Sequence, residues 1–400
     1  MCIRDRPASA QPHKFYNLFS DTTAYFLTYH ISPMAGKRMS TLTPFTGVPF
    51  ETHHKGEKII LNTESYSRGQ TFRNYTNLTQ FDVGEGFTGE RIREEVDVFK
   101  DYTLTGLDKA YLAGTDPQLD ILLAGRNNLV HDIEILVGPS SASLTSIGTY
   151  QFTGYVNFAI SEIIGWSNIS PGGEMTVRIT VLDNGDDNSN VSTSFIQLSF
   201  QETFDMLGES RKVFTLESTG GGGNEIQVLN TPTDARVLDI SEIGDVKRVI
   251  NTSVDPNQVQ CGFSDASMER NLFVQPDAYN VPDIEQVDFR QISATTAEYV
   301  VISHTSLMQP VGVVPDAVLE YAGYRSSPVG GGYDTLVVEI SQLYDQFSYG
   351  EITPLAIYNF MAWLVSEGDP TFLMLIGKGL DPALGYHRQD PSTFTYHDLV

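Results

Sequence analysis

Apolar and polar positions alternate with period two from Phe15 to about Gln275, interrupted by short clusters of turn residues. Residues 21–29 carry β-favouring aromatics, and the turn-like Ser32-Pro33 and Gly36-Lys37-Arg38 follow them. Residues 119–124 and 132–137 flank Gly125-Arg126-Asn127-Asn128, which predicts a hairpin. Residues 175–182 and 194–200 flank Asp183-Asn184-Gly185-Asp186-Asp187-Asn188, which predicts a solvated hairpin turn. A glycine run at 220–223 marks a loop between two further strands. Many short strands separated by Gly, Asn and Asp turns imply a β-sandwich or jelly roll.

The period changes after Glu298. Tyr299-Val300-Val301-Ile302 is a continuous apolar run, as expected of a strand buried on both faces. Val314, Ala317, Val318, Tyr321 and Ala322 then fall at helical spacing and predict a helix over 314–324. Leu336-Val337-Val338-Glu339-Ile340 reads as a second strand. Thr353 caps and Pro354 opens a helix whose stripe is Ile357, Phe360, Met361 and Leu364. Residues 372–376 supply a third strand. Strands alternating with helices predict a parallel sheet with two right-handed crossovers. The expected domains are 11–115 (β-rich), 116–285 (sandwich-like) and 295–400 (α/β).

The ends read as cut. Met1-Cys2-Ile3-Arg4-Asp5-Arg6 is neither a signal peptide nor the start of an element, and resembles a translated sequencing-adapter scar. Residues 1–10 are therefore expected to be scar or linker, and the 400 residues a fragment.

Charge narrows the function classes. Lys and Arg number 25 against 50 Asp and Glu, a net −25 that repels nucleic acid and anionic lipid. No apolar run is long enough for a membrane helix. The only cysteines, Cys2 and Cys261, make no disulfide framework and no zinc spacing. The sequons at Asn74, Asn77, Asn168, Asn190 and Asn251 are expected by chance in a chain rich in Asn, Ser and Thr.

Individual candidates are weak. Cys261 lies in the β-rich part and reads as a small buried hydrophobe rather than a nucleophile. His304 follows the first parallel strand, at the edge where open α/β sheets bind ligands. Tyr344, Asp345 and Gln346 after the second strand, and Lys378 after the third, share that edge as rim residues. His53, His54 and His131 have no metal spacing and read as surface or strand residues. The 183–188 loop lacks the EF-hand pattern, which leaves calcium open as a ligand. Residues 220–223 lack the ending of a phosphate loop, and no glycine fingerprint follows Ile302. Met206-Leu207 reads as core.

Several segments resemble one family. The run Asp316-Ala317-Val318-Leu319-Glu320-Tyr321, with Tyr324-Arg325, resembles the first peptidase-domain helix of the gingipain family of cysteine peptidases. Residues 337–350, ending Gln342-Leu343-Tyr344-Asp345-Gln346-Phe347-Ser348-Tyr349-Gly350, resemble secretion sortases within that family, as do residues 17–28 with Gly36-Lys37-Arg38. Residues 372–379 resemble its hydrophobic strand and glycine turn, although Lys378 stands where the family commonly has aspartate.

The resemblance implies the first half of a caspase-like α/β peptidase domain behind a β-rich region. It also implies a His–Cys dyad beyond Val400, so that residues 1–400 hold no catalytic residue and are themselves inactive. The implied parent is a secreted or outer-membrane protein of the type nine secretion system. It would cut C-terminal sorting domains from secreted cargo, among other secretion components, and pass the acyl group to surface lipopolysaccharide. No cofactor is implied with certainty. The rival expectation is a non-enzymatic surface adhesion or binding protein with a degenerate α/β domain.

Overall fold

The computed structural model describes Phe26 and residues 39–68, 85–185, 188–242, 244–276 and 286–377. The expectations placed on residues 1–25, 27–38, Asn74, Asn77, Asp186, Asp187 and 378–400, including Cys2 and Lys378, lie outside the described residues. The described chain divides into a β unit (39–63 and 67–276) and an α/β unit (286–377 with Phe26 and 64–66).

The strands are β1 (His54–Leu61), β2 (Ser65–Arg68), β3 (Glu85–Thr88), β4 (Arg91–Arg93), β5 (Phe99–Leu104), β6 (Gln118–Gly125), β7 (Val130–Ser140), β8 (Ser143–Thr153), β9 (Asn157–Ile163) and β10 (Met175–Val181). They continue with β11 (Asn190–Glu202), β12 (Lys212–Leu216), β13 (Asn224–Val228), β14 (Arg236–Asp239), β15 (Lys247–Val249), β16 (Val259–Phe263), β17 (Arg270–Gln275), β18 (Tyr299–Ser303), β19 (Thr335–Glu339) and β20 (Phe372–Ile376). The helices are α1 (Ala317–Ser326), α2 (Ile340–Phe347) and α3 (Leu355–Glu367).

In the β unit, an antiparallel sheet of order β15-β14-β17-β12-β1-β11-β6-β9, with β4 also on β11, lies over two smaller sheets. Leu119, Ile121 and Leu123 from β6 meet Ile133, Ile135 and Val137 from β7, which belongs to the sheet β5-β10-β7-β8. These alternate inward positions are nearly all fully buried, and each contributes about 1.5–3 kcal/mol. A second core sits between β12, β14 and β17 of the large sheet and the β13–β16 pair, with Phe214, Ile226, Val259 and Leu272 at its centre.

Two expected hairpins are absent. β6 pairs with β11 and β9, while β7 pairs with β10 and β8. Gly125-Arg126-Asn127-Asn128 therefore links opposite layers of a sandwich, because both flanking strands bury their inward face in one core. For the same reason 183–188 links β10 in one layer to β11 in the other. The expected division at 115/116 is also corrected: β1 pairs with β11 along its whole length, and β5 with β10.

The α/β unit has the expected parallel sheet, in order β19-β18-β20. All five residues of β18 are buried, because both faces are covered. Tyr299 and Val301 pack with Val318 and Ala322 of α1, while Val300 and Ile302 pack with Leu343, Phe360 and Leu364 of α2 and α3. α1 starts at Ala317 rather than Val314, since Asp316 caps it by accepting from the Val318 and Leu319 amides at 2.8 and 3.0 Å. The unit begins before residue 295. Ile292 packs on its core, and the Arg290 amide and carbonyl both bond the Gln346 side chain.

Candidate functional site

The carboxyl edge of the parallel sheet gathers the polar groups of the α/β unit. The buried Ser303 ends β18, and its hydroxyl donates to the Ile376 carbonyl at 2.9 Å, tying the ends of β18 and β20 together. Glu339 ends β19 and caps α2. One carboxylate oxygen accepts from the Ser341 amide at 3.0 Å and from the Ser341 hydroxyl, and the other accepts from the Thr305 amide at 3.3 Å. A carboxylate thus spans the exits of β18 and β19.

His304 follows Ser303 at this edge. Its Nδ1 accepts from the Ser306 amide at 3.1 Å, with the Ser306 hydroxyl at 2.8 Å. An acceptor Nδ1 places the proton of the neutral ring on Nε2. In this arrangement the imidazole is a hydrogen-bond donor at the edge and also caps the turn after it.

Three of the other rim candidates lie on a helix rather than on a loop. Tyr344, Asp345 and Gln346 lie on α2, where Tyr344 is buried against Val338 and Leu343. Burial and the nearby Glu339 carboxylate push the Tyr344 phenol and the Asp345 carboxyl above their ordinary ranges. Gln346 is spent on residue 290. Glu339 and Ser303 are not among the candidates that the sequence pattern singles out. Their signal was present: an acidic residue between an apolar strand and Ile340-Ser341, and a hydroxyl closing an apolar strand.

Cys261 sits in β16 opposite Ile226, among Val259 and Phe263, and is 1% exposed. Burial first, and then the Glu225 carboxylate, push its thiol up to about 12, so it is protonated and inert at neutral pH. His54 and His131 are on strands, as expected, but buried. Among the described residues, no cluster of three metal-ligating side chains is found. Asp183, Asn184, Glu94 and Asp132 instead bond to one another or to nearby amides.

The edge therefore offers a carboxylate, an imidazole and hydroxyls. Among the described residues of the α/β unit there is no thiol to go with them.

Residues 292–396 match the family model of peptidase family C25. Among solved structures, dimeric latent PorU from Porphyromonas gingivalis is similar over 86% of this chain and 32% of that chain, with TM-score 0.59 and 13% identity. The chain thus spans about a third of that protein's length. Carbohydrate-binding module CBM36 in complex with calcium and xylotriose matches at TM-score 0.20 and 12% identity, over 33% of this chain and 96% of that one. The CBM36-1 domain of a multidomain xylanase from the hindgut metagenome of Trinervitermes trinervoides matches at 0.21 and 16%, over 36% and 96%. Both scores are too low to indicate a common fold. No curated protein matches the chain. Residues 292–396 are thus similar to peptidase family C25, the gingipain family, and the chain has a fold like that of latent PorU.

Proposed function

We propose that this chain is part of a gingipain-like cysteine endopeptidase of the cell surface, a PorU-like sortase that cuts C-terminal sorting signals from secreted proteins. The family match over 292–396 carries this reading. The carboxyl edge of β18, β19 and β20 forms one wall of the cleft, with Glu339 and Ser303 holding the strand exits in place. No cysteine lies between residues 262 and 400, and this reading assigns the nucleophile to none of residues 1–400.

In that mechanism a thiolate, generated by a neighbouring imidazole, attacks the scissile carbonyl. The imidazolium returns its proton to the leaving amine as the C–N bond breaks, leaving a thioester. Water or an acceptor nucleophile then attacks the thioester and releases the thiolate. No helix among the described residues is long and apolar enough to cross a membrane.

The test is the reading frame continued past Val400, expressed whole and treated with an electrophilic thiol probe and with a cargo protein bearing a C-terminal sorting domain. A cysteine other than Cys2 and Cys261 is expected to label and, when replaced by Ala, to stop cargo cleavage. An intact α/β domain that neither labels nor cleaves would overturn the reading in favour of a surface binding protein.

A further inference from the structure

The β unit holds an uncompensated positive site in a chain with twice as many acids as bases. Arg126 follows β6, with its amide bonded to the Asn190 carbonyl of β11 at 2.9 Å. Its side chain is buried, the residue being 8% exposed. Nη1 donates to the Thr88 hydroxyl at 2.7 Å and to the Ser192 hydroxyl at 3.2 Å.

Two further arginines lie on β4, across the ladder from β11. Arg91 stands opposite Ser192 across the β4–β11 ladder, and Arg93 opposite Asn190. Directly opposed residues of an antiparallel pair project to one face. Ser192 touches Arg126, so Arg91, Arg93 and Arg126 share that face. Among the described residues, none of the three arginines is in an ion pair. Burial, and then Arg91, lower the Arg126 guanidinium to about 10, with Tyr155 acting the other way.

A buried cation is normally paired, because desolvation without a counter-charge is costly. Among the described residues no carboxylate pairs with Arg126, while the donors for an anion are in place. The Thr88 and Ser192 hydroxyls accept from Nη1 and, among the described residues, have no acceptor for their own protons. Both hydroxyls are fully buried beneath the guanidinium, so the groups this face presents outward are the guanidinium N–H donors of Arg91, Arg93 and the exposed fringe of Arg126. A carboxylate has two oxygens. Three guanidiniums, each with several N–H donors, exceed what it can accept and suit a tetrahedral oxyanion with three or four.

We propose that the face of β4, β11 and the end of β6 around Arg126 binds a tetrahedral oxyanion, a phosphate or sulfate group, free or esterified. This site is independent of the peptidase reading above.

The test is titration calorimetry and thermal melting of the whole chain with inorganic phosphate, against chloride at matched ionic strength. Phosphate is expected to bind and to raise the melting temperature by more than chloride does. Arg126→Met should melt at least as high as the wild type in chloride, since a buried unpaired charge is gone, and should lose the phosphate response. Arg91→Gln, at an exposed position, should weaken phosphate binding about tenfold, the worth of one charge-assisted contact. Glycerol 3-phosphate separates the sources: tighter binding than inorganic phosphate marks an esterified ligand, and weaker binding a free ion.

A wild-type phosphate response equal to that in chloride overturns the proposal. So does Arg126→Met that melts lower while keeping the phosphate response, which would make Arg126 a staple between β3 and β11. Should Arg126→Met fail to fold, the double variant Arg91→Gln/Arg93→Gln decides, and an unchanged phosphate response there is equally fatal.

Discussion

His54 lies with its ring 5.2 Å from Phe204 and 4.8 Å from Phe214, and its Nδ1 donates to the Lys55 carbonyl at 3.0 Å. Its Nε2 is 3.6 Å from a Glu202 carboxylate oxygen, but Lys212 already bonds that carboxylate at 2.6 Å. The Lys212 ammonium opposes a second positive charge there, so the imidazole stays neutral. Burial first, and then Lys212, lower its pKa to about 3, against 6.5 for the free side chain. The unfolded chain therefore binds a proton that the folded one refuses. Stability from this source is complete above about pH 6.5 and is lost as pH falls toward 3, with a slope of at most about 1.4 kcal/mol per pH unit. Urea unfolding of wild type and His54→Leu at pH 7.5, 5.5 and 4.5 should show a shallower pH dependence in the variant; parallel curves would refute it. Cys261 gives a second expectation at this scale. With its thiol at about 12, iodoacetamide at pH 8 should leave it unmodified in the folded chain and alkylate it in urea, as read by mass spectrometry. The alternation around His53-His54 shows that one of the pair must face inward. It does not show which, because the strand's register is set by pairing with β11 on residues far away in sequence.

Helix α1 depends on one cap. Removing the Asp316 carboxylate leaves the Val318 and Leu319 amides without that acceptor, and Asp316→Ala should destabilise the α/β unit by about 1 kcal/mol in denaturant unfolding. Asp316→Asn keeps an acceptor oxygen and should lose far less. Strand β20 has the opposite character. Phe372, Leu373, Met374 and Leu375 are each about two-fifths exposed (38–44%), and among the described residues the strand is an edge of its sheet. Exposed apolar edges recruit other strands. Leu375→Lys should therefore reduce self-association in analytical ultracentrifugation while leaving the melting temperature of the monomer unchanged, and undiminished association would remove β20 as its cause. These elements differ in how far the sequence showed them. β18, β19 and β20 are continuous apolar runs and were legible to within a residue. Helix α2 was not, because it starts directly after β19 with no breaker between them. Glu339 is both the last strand residue and the helix cap, so the change of period has no punctuation. The two false hairpins have the complementary cause, since a turn signal says that the chain reverses but not whether the next strand lies beside the last or across a core.

Across the whole molecule, the cores are closed within their units. The two clusters of the β unit draw on residues 42–274, and those of the α/β unit on residues 292–376. Among the described residues each unit has its own apolar clusters, and a unit with its own core can unfold in its own transition. Their prospects alone are unequal. The β unit has its strands paired around two well-filled cores, including Phe214, Ile121 and Ile135 at 1% exposure or less. Among the described residues, the parallel sheet of the α/β unit has three strands, one of them the exposed β20, and its buried apolar set is smaller. A protein of residues 30–283 should therefore be monomeric and unfold cooperatively, with a melting temperature within a few degrees of the matching transition in the whole chain. Residues 284–400 alone should associate through β20 and melt broadly, and Leu375→Lys should sharpen that transition. Calorimetry of the three proteins side by side checks the argument. A single shared transition in the whole chain, lost from residues 30–283 alone, would mean that the cores are coupled after all, and that contacts outside the clusters hold the β unit together.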